Sequence, residues 1–268
     1  MEESSPILLF DSGVGGLTVL AALRATLPDA PVIYAADMVG LPYGEKSEAE
    51  IAARVAGLLG RMSERYRPRL ACIACNTAST IALDMVRDVL EIPVVGTVPA
   101  IKPATAQTVT GVIGLLGTQA TVRQGYVDRL SAQFAADKVL LRQGAGALVD
   151  EAEAKLRGTP PDRATIEAAV TALVGQPRGT DIDTVVLACT HFPLLREELH
   201  AAFCDAVGRD VALVDGAHGI ARRIADLTQH QPIQRSHADL AITTGSLADF
   251  RTLAPALSRY GLDRLERF

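Results

Sequence analysis

Residues 7–26 read ILLFDSGVGGLTVLAALRAT. Four apolar residues, a glycine-rich turn and a run of helical period follow one another, which is the opening of a strand–turn–helix unit. The same order returns at VIGLLGTQATV, residues 112–122. A second pair, CIACNTAS at 72–79 and VVLACTHFP at 185–193, repeats a strand that ends in cysteine before a helix. Short branched apolar runs alternate with longer helix-period segments along the whole chain, the pattern of βα units feeding a largely parallel sheet. Strands are expected at 7–10, 32–35, 70–74, 94–96, 112–116, 139–141, 184–188, 211–214 and 240–243. Nine short strands fit two sheets better than one. Helices are expected near 47–66, where Ser47 and Glu50 form a capping box, and near 160–174, where Thr159 precedes Pro160.

The fold class is therefore α/β: two similar, doubly wound, mainly parallel-sheet domains facing each other across a cleft. Open parallel sheets bind ligands at their strand carboxyl ends, so that cleft is the expected active site. At 268 residues, 49% of them hydrophobic, the chain can bury a large core. A net charge of -5, with no run of clustered Lys or Arg, argues against nucleic acid or anionic lipid as a partner. The start MEESSP carries no basic leader, and no apolar run is long enough to span a bilayer, so a cytoplasmic location is expected. There the four cysteines, Cys72, Cys75, Cys189 and Cys204, are expected as thiols.

Cys75 and Cys189 each close a strand just before a helix, whose N-terminal partial positive charge favours a thiolate and bound anions. A single free cysteine is more often a small buried hydrophobe. Two at equivalent places, each trailed by hydroxyl or amide side chains, favour a functional reading. Cys72 and Cys204 read as packing residues in a strand and a helix. Cys72 and Cys75 have the spacing of a redox or zinc pair, but such residues in a strand point to opposite faces and no second pair completes a ligand set. No metal is expected. His191 could relay a proton for Cys189 or polarise a substrate, or simply cap a helix or lie at the surface. Asp11 could bind an ammonium group, hold a general base or cap the next helix. The turn at 11–16 is not a dinucleotide fingerprint, because Thr18 stands where the last glycine belongs, and no phosphate-loop lysine follows. The loop from Asp37 to Gly44 could wall a ligand site or be a plain turn. Of the four lysines, Lys46, Lys102, Lys138 and Lys155, none has a pyridoxal-phosphate context. Without a cofactor, inversion of an α-carbon needs two opposed bases, one protonated and one not. Two thiols across a cleft meet that need.

FDSGVGGLTVL at 10–20, YAADMVGLPYG at 34–44, ACNTAS at 74–79, Gly117-Thr118 with Thr121-Val122, and LACTHFPLL at 187–195 stand together in one order. In these motifs the chain resembles the glutamate racemases of the cofactor-independent aspartate/glutamate racemase superfamily, along most of its length. The resemblance implies that Cys75 removes the α-proton of the D enantiomer and Cys189 that of the L enantiomer. It implies that Asp11 assists Cys75, that His191 assists Cys189, and that Ser12, Tyr43, Gly44, Asn76, Thr77 and Thr190 bind glutamate. Thr118 and Thr121 match a further polar turn at the site, and Glu153 a glutamate near the cleft. It implies one domain of residues 1–97 plus 210–268 and another of 98–209, a homodimer, no cofactor, and D-glutamate as a product for peptidoglycan synthesis. Ala145-Gly146 replaces a common Cys-Pro, Ala188 a common Gly and Phe192 a common Tyr, and the N-terminal segment is short for the extension by which some members bind an activator. Three other readings stay open: an aspartate racemase, a non-catalytic binding protein such as a DNA gyrase partner, and a cysteine hydrolase.

Overall fold

The computed structural model describes residues 3–268. The chain forms two compact units, one of residues 1–97 and 217–268 and the other of 98–216. In the first unit the chain runs β1 (Ile7–Asp11), α1 (Leu17–Thr26), β2 (Val32–Ala36), α2 (Glu48–Tyr66), β3 (Leu70–Ile73), α3 (Asn76–Val89) and β4 (Val94–Gly96). The second unit contains α4 (Ile101–Gln107), β5 (Val112–Gly117), α5 (Gln119–Val122), α6 (Gly125–Phe134), β6 (Val139–Gly144), α7 (Ala147–Leu156), α8 (Arg163–Val174), β7 (Thr184–Ala188), α9 (Arg196–Val207) and β8 (Ala212–Val214). The chain then returns to the first unit with α10 (Ala217–Thr228), β9 (Leu240–Thr243), α11 (Leu247–Phe250), α12 (Ala254–Ser258) and β10 (Arg264–Arg267).

The first sheet has the order β10-β9-β2-β1-β3-β4 and the second β6-β5-β7-β8, and the pairings are parallel. The inner order β2-β1-β3-β4 is thus the order of the whole second sheet, and the repeat read from the sequence is a repeat of topology. β1, β2 and β3 are buried throughout, because helices cover both faces of a parallel sheet. Ile51, Val55, Leu58, Leu59 and Met62 of α2 recur at helical spacing and close one face of the first core.

Three details differ from the sequence reading. The expected strand at 211–214 pairs with β7, Thr184 opposite Ala212, so the stretch up to residue 216 lies with the second unit. It extends that sheet past β7 as β4 extends the first past β3. The helix expected from Thr159 begins at Arg163, because Asp162 accepts the N–H groups of Ala164 and Thr165 and is the cap. Ser47 does cap α2, accepting from the Glu50 N–H at 3.3 Å. A tenth strand, β10, forms at the sheet edge from Arg-Leu-Glu-Arg, whose charged side chains suit an edge and give no apolar signal.

Candidate active site

Each sheet reverses its winding beside its central strand: β1 lies between β2 and β3, and β5 between β6 and β7. Strand carboxyl ends at such a reversal form the ligand crevice of open α/β sheets. In the first unit these ends deliver Asp11, Ser12 and Cys75. Ile73 sits opposite Phe10, and the Ala74 N–H donates to the Phe10 carbonyl at 2.7 Å, so the two chain ends leave the sheet side by side.

The turn after β1 is organised by the fully buried Asp11. One carboxylate oxygen accepts the Ser12 N–H at 2.7 Å, and the other accepts the Gly16 N–H at 2.6 Å and the Tyr34 hydroxyl at 3.3 Å. Gly16 is the N-cap residue of α1 and lacks a side chain for a reason: a Cβ there would lie 3.0 Å from the Ala74 Cβ and the Tyr34 hydroxyl, and 3.2 Å from Asp11 itself. These hydrogen bonds tie the turn to the end of β1. Ser12 is thereby aimed at Cys75, with 3.6 Å between Oγ and Sγ.

Cys75 is the N-cap of α3, and its sulfur accepts the Ala78 N–H at 3.5 Å. Negative charge on that sulfur meets the first-turn N–H groups and the positive end of the helix. Cys72, three residues earlier, is different. It lies mid-strand between Leu9 and Val95, fully buried, and burial followed by the charge of Asp11 pushes its thiol up to about 12. It is a packing residue. Asn76 and Thr77 open α3 and are buried, and the Asn76 Oδ1 has no hydrogen-bond partner. A buried acceptor left unsatisfied by the protein marks a place for a donor from a ligand.

Tyr43 and Gly44 form a short 3₁₀ turn after the cis Leu41–Pro42 bond, and Tyr43 packs in the same core cluster as Cys75. The Tyr43 hydroxyl donates to Asp37 at 2.6 Å, and burial, then the Asp37 charge, push it far above the usual range, so it stays protonated. Burial opposes ionisation of Asp37, but hydrogen bonds from Arg54, Thr244 and Tyr43 prevail and hold its carboxyl below the ordinary range. Asp37 and Arg54 brace the loop; the sequence showed the loop but not its brace.

In the second unit, Thr118 ends the turn after β5 as the cap of α5, accepting the Thr121 N–H at 3.2 Å, and the two hydroxyls are 3.0 Å apart. Cys189 follows β7 and is buried with Thr190. Its sulfur lies 3.9 Å from Nδ1 of His191, whose Nε2 is 3.0 Å from Glu153 on α7, and the other Glu153 oxygen accepts from Arg157 at 2.7 Å. Burial works against the Glu153 charge, but the bonds from His191 and Arg157 overcome it and lower its carboxyl to about 2. An ionised carboxylate only accepts, so Nε2 carries a proton and Nδ1 is left facing the thiol. The buried His191 imidazole thus stands between the sulfur and the carboxylate, and its side chain makes no capping hydrogen bond. Lys155 holds the two segments together, donating to the Leu194 carbonyl at 3.0 Å and pairing with Glu198. Arg157 carried no signal in the sequence beyond standing four residues after Glu153, and Lys155 showed only as one of the four lysines.

All thirteen residues singled out from the sequence thus fall at or beside the strand ends of the two units, in two sets: Asp11, Ser12, Tyr43, Gly44, Asn76, Thr77 and Cys75 in the first, Thr118, Thr121, Glu153, Cys189, Thr190 and His191 in the second. Among the described residues no helix is long and apolar enough to cross a membrane, and the four cysteines form no disulfide.

Comparison with known proteins gives a consistent result. The family model for Asp/Glu/Hydantoin racemase matches residues 18–224. Glutamate racemase of Sphingopyxis alaskensis is 65% identical over 227 residues, covering 85% of this chain and 83% of that one. Glutamate racemase of Salmonella typhimurium is 43% identical over 99% of this chain and 93% of its own length. The crystal structure of Escherichia coli glutamate racemase in complex with L-glutamate and the activator UDP-MurNAc-ala superposes with a TM-score of 0.89 at 42% identity, covering 98% of both chains. That of Thermus thermophilus in complex with beta-chloro-D-alanine gives 0.78 at 29% identity, over 100% of this chain and 98% of that one. The chain belongs to the Asp/Glu/hydantoin racemase family and is a racemase.

Proposed function

We propose that this racemase interconverts L- and D-glutamate by passing the α-proton between two thiols, Cys75 and Cys189. The observation that carries the reading is that both units place a buried cysteine within two residues of the end of the strand beside their central strand, at the same point of the same strand order. Glutamate comes from the relatives, which are named for it over nearly the whole chain.

In the D-to-L direction the Cys75 thiolate takes the α-proton, and the Cys189 thiol delivers its own proton to the opposite face. The carbanion-like α-carbon between the two steps is stabilised by polar groups already in place, without reorganisation. Ser12 and the Ala78 N–H support charge on Cys75. In the L-to-D direction His191 first accepts the Cys189 proton through Nδ1, becoming an imidazolium paired with Glu153, and the resulting Cys189 thiolate takes the α-proton while the Cys75 thiol delivers its own. The unsatisfied Asn76 Oδ1 receives an N–H of the substrate ammonium. The hydroxyls of Thr77, Thr118, Thr121 and Thr190, with the backbone around Tyr43 and Gly44, receive the carboxylates. The enzyme then acts in the cytoplasm as a homodimer, and its D-glutamate feeds peptidoglycan synthesis.

The test is incubation of purified protein with L-glutamate in deuterated water, following circular dichroism and loss of the α-proton resonance together. Decay of both signals is expected. Change with aspartate alone would replace the substrate and keep the chemistry, and no change with either would overturn the reading. The imidazole–carboxylate relay at Cys189 also suits a cysteine nucleophile, and this second reading separates cleanly: hydrolysis would survive removal of Cys75.

A further inference from the structure

On the outer part of the second unit, three side chains outside the candidate active site bring donor atoms to one point. His200 and Cys204 stand one turn apart on α9, and Gly208, at φ 71°, ends that helix in the left-handed conformation and turns the chain back. The turn brings Asp210 beside them. The His200 Nε2 is 2.8 Å from the Asp210 Oδ1, the Cys204 sulfur is 3.6 Å from the same nitrogen, and 3.8 Å separates that sulfur from the same oxygen.

This is not the relay found at Cys189. There the imidazole bridges, one nitrogen toward sulfur and the other toward carboxylate. Here a single nitrogen is nearest to both partners, so the imidazole carries no proton from one to the other. Three unlike donors facing a common point are what a cation requires. With bonds of about 2.3 Å to sulfur and about 2.0–2.2 Å to nitrogen and oxygen, a tetrahedral ion holds its donors roughly 3.4–3.6 Å apart. Two of the three separations already lie close to that, and the third opens when the hydrogen bond is exchanged for coordination.

We propose that His200, Cys204 and Asp210 form a surface site for one borderline-soft divalent transition-metal ion of the zinc class, with water as its fourth ligand. A thiolate with an imidazole selects such ions over magnesium and calcium, which favour all-oxygen sets. His200 and Asp210 are exposed and Cys204 is half-buried, so an ion enters from solvent without opening the fold. On binding, the Cys204 thiol proton passes to solvent and a metal–sulfur bond forms, with no change of oxidation state. The bound ion ties the C-terminal turn of α9 to the start of β8, through Asp210 and the buried Val211. The site is structural or regulatory and stands apart from proton transfer.

The experiment is titration of the full-length protein with Co²⁺, a coloured stand-in for Zn²⁺. One equivalent is expected to give a thiolate-to-cobalt charge-transfer band and tetrahedral visible bands, both displaced by Zn²⁺. Cys204→Ser should lose the charge-transfer band, and His200→Ala should weaken binding about tenfold or more, while both retain racemase activity as proof of folding. Cys75→Ala and Cys189→Ala should keep the band. Zn²⁺ should also raise the melting temperature of the unmodified protein and leave that of Cys204→Ser unchanged. No thiolate band at one equivalent, a band that survives in Cys204→Ser, or a band lost with Cys75 or Cys189 would overturn the assignment.

Discussion

Glu153→Gln removes one charge from the Cys189 arm while keeping its shape. The carboxylate sits between His191 at 3.0 Å and Arg157 at 2.7 Å, which together bring it from the usual 4.5 to about 2 against the opposing effect of burial. At about 1.4 kcal/mol per pH unit, the ionised form is favoured by up to about 3 kcal/mol in the folded protein. The amide recovers part of this by hydrogen bonding, so a loss of about 1–3 kcal/mol is expected at pH 7. The pH dependence fixes the cause. A carboxyl lowered on folding stabilises fully above its unfolded value and loses that effect as pH falls toward its folded value. The gap between wild type and variant should therefore be constant from pH 7 to 6, be smaller by about 1 kcal/mol at pH 4, and keep closing toward pH 2. Urea unfolding at each pH measures it. Because the variant also leaves the imidazolium of His191 without its anion, kcat should fall roughly 10²-fold with a smaller change in KM. An equal stability gap at pH 6 and pH 4, or a kcat within twofold of wild type, would refute the reasoning.

Four further substitutions bear on the same geometry. Cys75→Ala and Cys189→Ala should both abolish inversion, but each remaining thiol should still exchange the α-hydrogen of one enantiomer with deuterium, L-glutamate in the first variant and D-glutamate in the second. Near-normal racemisation by either variant ends the two-thiol mechanism. Cys72→Ala, in a fully buried mid-strand position, should cost about 1 kcal/mol by loss of one buried atom and leave turnover intact; a loss of activity without loss of fold would contradict its packing role. Gly16→Val should lower stability by about 1–3 kcal/mol or more in a thermal melt, since its Cβ would meet Ala74, Tyr34 and Asp11. An unchanged melting temperature would mean that the turn yields more easily than these contacts allow.

The α/β class, the strands and the strand-end positions of both cysteines were legible because each depends on local chemistry. Strands buried on both faces must be continuous apolar runs, and residues just beyond them face a ligand whatever the rest of the chain does. What escaped was set by partners distant in sequence. Arg264–Arg267 looks like a charged tail and becomes a strand only because β9 offers a free edge. Asp162 outcompetes Thr159 as a cap through contacts that neither local pattern distinguishes. The boundary near 210 depended on which sheet β8 joins, and a three-residue strand carries no mark of its partner. Glu153 was found by motif resemblance, but its pairing with His191, 38 positions away, and with Arg157 needed coordinates.

The two thiols occupy equivalent topological positions and yet are supported differently, and the difference follows from what comes after each strand. After β3 the chain enters α3 at once, so the Cys75 sulfur itself becomes the cap and its partners are a backbone N–H and a hydroxyl. These groups do not titrate near neutral pH, and charge on this sulfur is met by fixed dipoles. After β7, Thr190 and His191 intervene before a short 3₁₀ turn and α9. No long helix begins at Cys189, and an imidazole backed by a buried carboxylate stands in that place. In the proposed mechanism a mobile proton on His191 does for Cys189 what the helix end does for Cys75. The proposed two-thiol mechanism must work in both directions near neutral pH, so under it either sulfur has to be able to start as the thiolate. Fixed dipoles on one side and a proton acceptor on the other satisfy that requirement by separate means. Rebuilding either half on the pattern of the other would keep the topology but replace the group that stabilises its thiolate.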